Sequence, residues 1–145
     1  EVSGVLTCNF GILTCESGHV LAMLDIRYPI SAKSSELLST VANTVAPYGI
    51  AATLRGDSKP LYVPEDHFVV QGLLRAYERV TGEKGYTIAI GGGTYARSMD
   101  NAVAFGNAYP GTDNRIHMPD EFVNLDEFVR NAKMIAAAII ELAGK

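Results

Sequence analysis

From Arg55 to Pro64 the chain reads Arg-Gly-Asp-Ser-Lys-Pro-Leu-Tyr-Val-Pro, with neither a helical nor a strand period. Proline lacks the backbone N–H that a helix interior or a sheet ladder requires, so no regular element runs through this stretch. It reads as a linker, and it splits the patterned sequence into two regions that must each bury their own apolar residues. The Arg-Gly-Asp tripeptide inside it resembles an adhesion motif, but the linker reading accounts for it more simply.

Before the linker, Gly4 to Leu13 and His19 to Tyr28 are rich in Val, Leu, Ile, Phe and Thr, and Glu16-Ser17-Gly18 between them has turn composition. That pattern predicts a β-hairpin. Pro29 closes the second strand. Ser31 to Ser35 then offers N-cap residues for a helix whose apolar positions, Leu37, Leu38, Val41 and Val45, repeat at helical spacing as far as Pro47. A short strand over Gly49 to Leu54 would complete a ββαβ run.

After the linker, Val69, Leu73, Ala76, Tyr77 and Val80 fall on one helical face that stops at Thr81-Gly82. Short strands are expected over Tyr86 to Ile90 and Ala102 to Phe105, followed by an irregular loop to Phe122. Asn124, with Glu127 three residues later, has the form of a capping box. The helix it opens is expected to bury Phe128, Val129, Ala132, Ala136 and Ile139.

Composition narrows the function classes. With 145 residues, 48% apolar and 19% charged, the chain can bury an ordinary core and is too apolar for a disordered tail. Net charge is −4 and no basic run or stripe appears, which argues against nucleic acid and anionic membranes as partners. The longest mainly apolar stretch, Met134 to Leu142, broken by Glu141 alone, is about nine residues where a bilayer-spanning helix needs roughly 20, so it reads as a buried helix face. No signal-peptide pattern is visible, and a cytoplasmic location is expected. The chain opens with Glu1 where a translated protein has Met, as an excised piece would. Cys8 and Cys15 match no zinc or redox spacing and read as reduced, half-buried thiols.

Two segments look unlike scaffold. In Ile88 to Arg97, three glycines, Gly91, Gly92 and Gly93, follow a strand-like stretch; they suit either a tight turn with positive φ or exposed backbone N–H groups aimed at an anion. The same residues match the loose dinucleotide fingerprint Gly-x-Gly-x-x-Ala, but that fold needs a full helix after the glycines and a second βαβ unit, for which too little chain remains. In Tyr109 to Glu121, a polar loop carries His117 four residues before Glu121. A lone loop histidine is more often a surface residue than a metal ligand. His19 and His67 have no second ligand at metal spacing and read as solvated. Arg27, at the end of an apolar strand, has the planar fork that grips a carboxylate, although a nearby acid such as Asp25 is its commoner partner.

Taken in order, Leu24-Asp25-Ile26-Arg27-Tyr28-Pro29, Pro60-Leu61-Tyr62-Val63-Pro64, Ala89-Ile90-Gly91-Gly92-Gly93-Thr94-Tyr95-Ala96-Arg97 and the stretch from Ala102 to Glu121 resemble the C-terminal part of PepV-like dipeptidases. These belong to the co-catalytic zinc exopeptidases that include carboxypeptidase G and the succinyl-diaminopimelate desuccinylases. The resemblance covers nearly the whole chain. It implies an α/β fold: residues 1–58 would be the last part of an α+β lid domain, and 59–145 the closing part of an α/β catalytic domain that holds two zinc ions, with manganese an alternative.

Residue by residue, the resemblance makes His117 the family's final metal ligand and Arg27 the lid arginine that grips the substrate's C-terminal carboxylate. Gly92 or Gly93 supplies the backbone N–H that contacts the same end of the substrate. Asp120 and Glu121 receive structural roles. The implied reaction is metal-assisted hydrolysis of a dipeptide, with the remaining zinc ligands and the general-base glutamate supplied by sequence that this chain lacks. A hydrolytic zinc needs about three protein ligands and an open position. On this reading the chain carries no catalytic residue of its own and is inactive alone, its partners being the dipeptide, the rest of the dipeptidase and, through the lid strands, a second copy. The reading from a different class is a free-standing binding domain whose hairpin edge pairs with another chain.

Overall fold

A computed structural model describes residues 2–106 and 108–144; Glu1, on which the excised-piece reading rested, lies outside the described residues, as do Asn107 and Lys145. The chain separates into two compact units. The first comprises Glu1–Tyr62 with Ala89–Gly92, and the second Val63–Ile88 with Gly93–Lys145. The described residues contain three α-helices and a two-stranded antiparallel sheet, a mixed α and β composition.

In the first unit, β1 (Thr7–Glu16) and β2 (His19–Arg27) form the expected hairpin, with Glu16 opposite His19. The strand starts later and runs further than its sequence pattern suggested, because the turn needs only Ser17 and Gly18. Both have positive φ, 48° and 80°, which gives a two-residue loop whose twist matches the strands it joins.

A bulge between Phe10 and Ile12 resets the register by one residue at Gly11. Its effect is to keep one set of mainly apolar residues together. Cross-strand partners share a face, so Cys8, Phe10, Leu13 and Cys15 lie with Ile26, Leu24, Ala22 and Val20 on one side. Were Gly11 paired in the ladder and not bulged out of it, Leu13 and Cys15 would turn to the opposite face. Cys8 and Cys15 are free and exposed, not half-buried as expected.

Helix α1 (Ser34–Val45) turns Leu37, Leu38, Val41, Ala42 and Val45 to its half-buried side, as the spacing predicted. Its N-cap is Lys33, which makes no side-chain capping bond; Glu36 in the first turn pairs with Lys33 at 3.5 Å instead. Pro47 does not stop the chain abruptly. It sits at the start of a 3₁₀ turn, Ala46–Tyr48, where its missing N–H costs nothing, and Gly49 ends that turn at φ 72°.

The expected strand over Gly49 to Leu54 forms no ladder, so the ββαβ run stops at ββα. Nor is the linker free of structure. Asp57 accepts hydrogen bonds from the Tyr28 hydroxyl at 2.5 Å and from Ser34 Oγ at 2.7 Å, tying the end of β2 to the start of α1.

In the second unit, α2 (Phe68–Thr81) packs on α3 (Leu125–Ala143). The start of α2 is capped by His67, whose Nδ1 accepts from the Val69 N–H at 3.4 Å, so this histidine has a structural task and is not simply solvated. Gly82 ends the helix at φ 74°, as expected. The core gathers Ala76, Ala137 and Ala138, with Leu73, Val80 and Phe105 packed against them. Met134 is the largest fully buried side chain.

Asn124 caps α3 by accepting from the N–H groups of Asp126 at 2.9 Å and Glu127 at 3.3 Å. The capping box is incomplete, because Glu127 turns its carboxylate to the Thr112 hydroxyl. The buried side of α3 is not the expected one. Met134, Ala137 and Ala138 face the core, whereas Phe128, Val129 and Ile139 are more than half exposed. The helix is apolar on both sides, so periodicity alone could not say which one α2 covers. The strands expected at Tyr86 to Ile90 and Ala102 to Phe105 form no ladder among the described residues.

Candidate functional site

Side chains two apart on a strand point to the same side, which places Asp25 and Arg27 together at the end of β2. Asp25 Oδ2 accepts from Arg27 Nε at 3.3 Å and from Nη2 at 3.2 Å. The third contact of the guanidinium reaches far along the chain: Nη1 donates to the Gly91 carbonyl at 2.5 Å. Arg27 therefore holds the head of the glycine run within the first unit, and Gly92 follows directly. The sequence-predicted clamp and glycine segment meet here through Gly91, a residue not singled out for this role.

None of Gly91, Gly92 or Gly93 has a positive φ. A Cβ at Gly91 or Gly92 would meet nothing within 4 Å, and one at Gly93 would come within 3.0 Å of Arg97 Nη1. Neither turn geometry nor crowding by the surrounding described residues explains glycine at positions 91 and 92.

Nor does the segment open a dinucleotide fold. The glycines lead into a four-residue 3₁₀ turn, Tyr95–Ser98, where that fold requires a helix.

His117 lies in the second unit, in a loop closed by the Phe122 N–H donating to the Asn114 carbonyl at 3.2 Å. Arg115, His117 and Asp120 all have positive φ, 57°, 61° and 60°. This left-handed backbone is costly for residues with a Cβ and persists only where its surroundings hold it. The bonds that hold it are local. Arg115 pairs with Asp120 at 3.4 Å, Asp113 Oδ1 accepts from the Arg115 N–H at 3.0 Å, and Glu121 Oε2 accepts from the His117 N–H at 3.3 Å. Glu121 thus steadies the backbone that presents the imidazole, and His117 itself is exposed.

Among the described residues no group of three His, Cys, Asp or Glu side chains could hold a metal ion. The described residues assemble no metal centre around the exposed His117 imidazole. A separate cleft of about 510 Å³ in the second unit is lined by Glu83, Tyr109, Thr112, Glu127 and Arg130 among others, and includes none of the site residues inferred from sequence.

Comparison with known proteins gives these residues their context. The profile of Peptidase family M20/M25/M40 matches residues 6–141. The chain belongs to this peptidase family.

A relative in Bacillus subtilis, described as "Putative dipeptidase YtjP", is 39% identical over 144 residues, covering 99% of this chain. A Staphylococcus aureus (strain USA300) relative described as a "Putative dipeptidase" is 29% identical over 143 residues, 98% of this chain. The match takes in 30% of the length of each of these curated relatives. This M20/M25/M40 chain is therefore equivalent to less than a third of such a protein, and the match reaches nearly end to end, through both the Arg27 and the His117 segments. Sequence reasoning named Gly91 within the glycine run and Asp57 within the linker but missed the hydrogen bonds they accept. The contacts of both span long stretches of chain, which no local spacing reveals.

Proposed function

We propose that this chain forms the C-terminal part of a metal-dependent dipeptidase that hydrolyses dipeptides bearing a free C-terminal carboxylate. The observation that carries this reading is the 39% identity to the B. subtilis relative across 99% of the chain. In this reading residues 1–58 are the end of a lid domain and 59–145 the close of an α/β catalytic domain, in a cytoplasmic enzyme.

Each residue then has a defined task. Arg27 binds the substrate's terminal carboxylate through its planar fork, which fixes the length of peptide accepted. Gly92 or Gly93 donates a backbone N–H to the same end. His117 contributes one neutral imidazole nitrogen to a metal centre, zinc or manganese, completed by residues beyond this chain. That metal, when bound, would supply an activated water and stabilise the oxyanion. Glu121 keeps the His117 backbone in place. With one donor and no general base of its own assigned, the chain alone is expected to hydrolyse nothing.

The test compares the natural gene product with this 145-residue chain. Expected is a chelator-sensitive dipeptide hydrolysis in the former, none in the latter, and a fall in bound metal in the natural product carrying His117→Ala. Chelator-insensitive activity, or full metal content in that variant, overturns the reading.

A further inference from the structure

Arg27 already holds a carboxylate. Asp25 presents one oxygen to Nε and Nη2, the side of the guanidinium fork that best fits a bidentate acid, at 3.3 and 3.2 Å. Both side chains are more than half exposed, at 53% for Arg27 and 56% for Asp25. An ion pair this open to solvent contributes little to stability, so holding the hairpin together does not account for it. It does change what Arg27 offers an incoming anion.

We propose that Asp25 is a built-in competitor for the substrate's C-terminal carboxylate at Arg27, and so sets how tightly a dipeptide is held. The proposal rests on the reading of Arg27 as the carboxylate clamp. Asp25 and the substrate terminus are the same chemical group seeking the same donors. Asp25 also neutralises the guanidinium charge that would attract the substrate.

The direction of the effect follows from the third contact. Arg27 Nη1 is anchored on the Gly91 carbonyl, a neutral acceptor. The guanidinium therefore keeps its place when Asp25 loses its charge, and the fork is freed without being set adrift. Because the pair is solvated, the gain is modest. Competition of this kind lowers apparent affinity and leaves the bond-breaking step untouched, so it belongs in KM and not in kcat.

The experiment uses the natural full-length protein with alanyl-alanine as the probe. Asp25→Asn keeps the size and hydrogen-bonding capacity of the side chain and removes its charge. Its KM is expected to fall about two- to fivefold with kcat within about twofold of the parent, a range that matches the small energy of an exposed pair. Asp25→Glu, which restores the charge, is expected to return KM toward the parent value. On an Arg27→Ala background, Asp25→Asn is expected to change KM no further.

An unchanged or raised KM in Asp25→Asn overturns the proposal and assigns Asp25 to positioning Arg27 or to no role in binding. Should Arg27→Ala alone leave KM unaltered, the clamp reading itself fails, an outcome distinct from failure of the competitor.

Discussion

Arg75 on α2 donates to Glu141 on α3 at 3.0 Å, and Arg79 one turn later reaches the other oxygen of the same carboxylate. The two bonds clamp the C-terminal part of α3 to the middle of α2, beside the alanine core. The Arg75 hydrogen bond, aided by the charges of Arg79 and Arg75 itself, holds the Glu141 carboxyl below its ordinary value. A carboxylate whose pKa is lower folded than unfolded stabilises the fold above its unfolded pKa. That contribution is lost as pH falls through the lowered folded value. Glu141→Gln is therefore expected to lower the thermal midpoint at neutral pH, with the gap to the parent closing below the ordinary glutamate range of about 4.3. Melting curves across that range check it, and a gap that persists in acid would remove Glu141 from the account of acid stability.

The helix pair also explains a glycine. Gly72 lies on the buried side of α2, and a Cβ there would meet Leu142 Cδ2 at 2.5 Å and Cγ at 3.3 Å. The tip of a leucine can turn away, but a β-branched residue would press on the stem as well. Gly72→Val is expected to destabilise the second unit by about 1–3 kcal/mol, the usual cost of overpacking. Urea unfolding of parent and variant measures it, and equal midpoints would mean that α3 yields more freely than its packing implies.

How far the sequence could be read depended on the range of the interaction. The hairpin turn, the α1 stripe, the Gly82 stop and the Asn124 cap rest on neighbours within a few residues, and all four form where their local patterns place them. The Gly11 bulge and the buried side of α3 depend on partners elsewhere. An all-round apolar helix such as Met134 to Ile140 holds no internal record of which side is covered. The short segments at 49–54, 86–90 and 102–105 have strand composition, but a strand exists only through its partner, and no ladder forms at them among the described residues. For the candidate site, Arg27 and His117 drew their expected roles from the family resemblance and not from residue type, whereas the Gly91 carbonyl was invisible because the bond to it crosses 64 positions of sequence.

Asp57 shows the same limit with a measurable consequence. Hydrogen bonds from Tyr28 first, then Ser34, with the Lys59 charge adding a little, keep its carboxyl below the ordinary range. The sign is that of Glu141: the stabilisation is present near neutrality and is lost as pH falls through the lowered value. Asp57→Ala removes the carboxylate that the Tyr28 and Ser34 hydroxyls share and cuts that tie between β2 and α1. Hydrogen exchange in the first turn of α1 is expected to quicken at neutral pH, with helix α2 unaffected. Uniform exchange across both units would show instead that Asp57 does not act locally.

Tyr109 presents the opposite case, a polar group whose removal should help. Its hydroxyl is buried and has no hydrogen-bond partner among the described residues, and burial pushes the phenol above its ordinary pKa. A buried hydroxyl without a partner loses its bonds to water on folding and gains nothing in return. The ring has other work, since the Arg130 guanidinium lies 5.0 Å from its centroid, a contact that phenylalanine keeps. Tyr109→Phe is therefore expected to be neutral to stabilising, by up to about 1 kcal/mol, in denaturant unfolding of parent and variant. A loss of stability would mean that the hydroxyl finds a partner in the folded protein, a bound water or a group beyond the described residues, and that this corner of the second unit is a hydrogen-bonded joint.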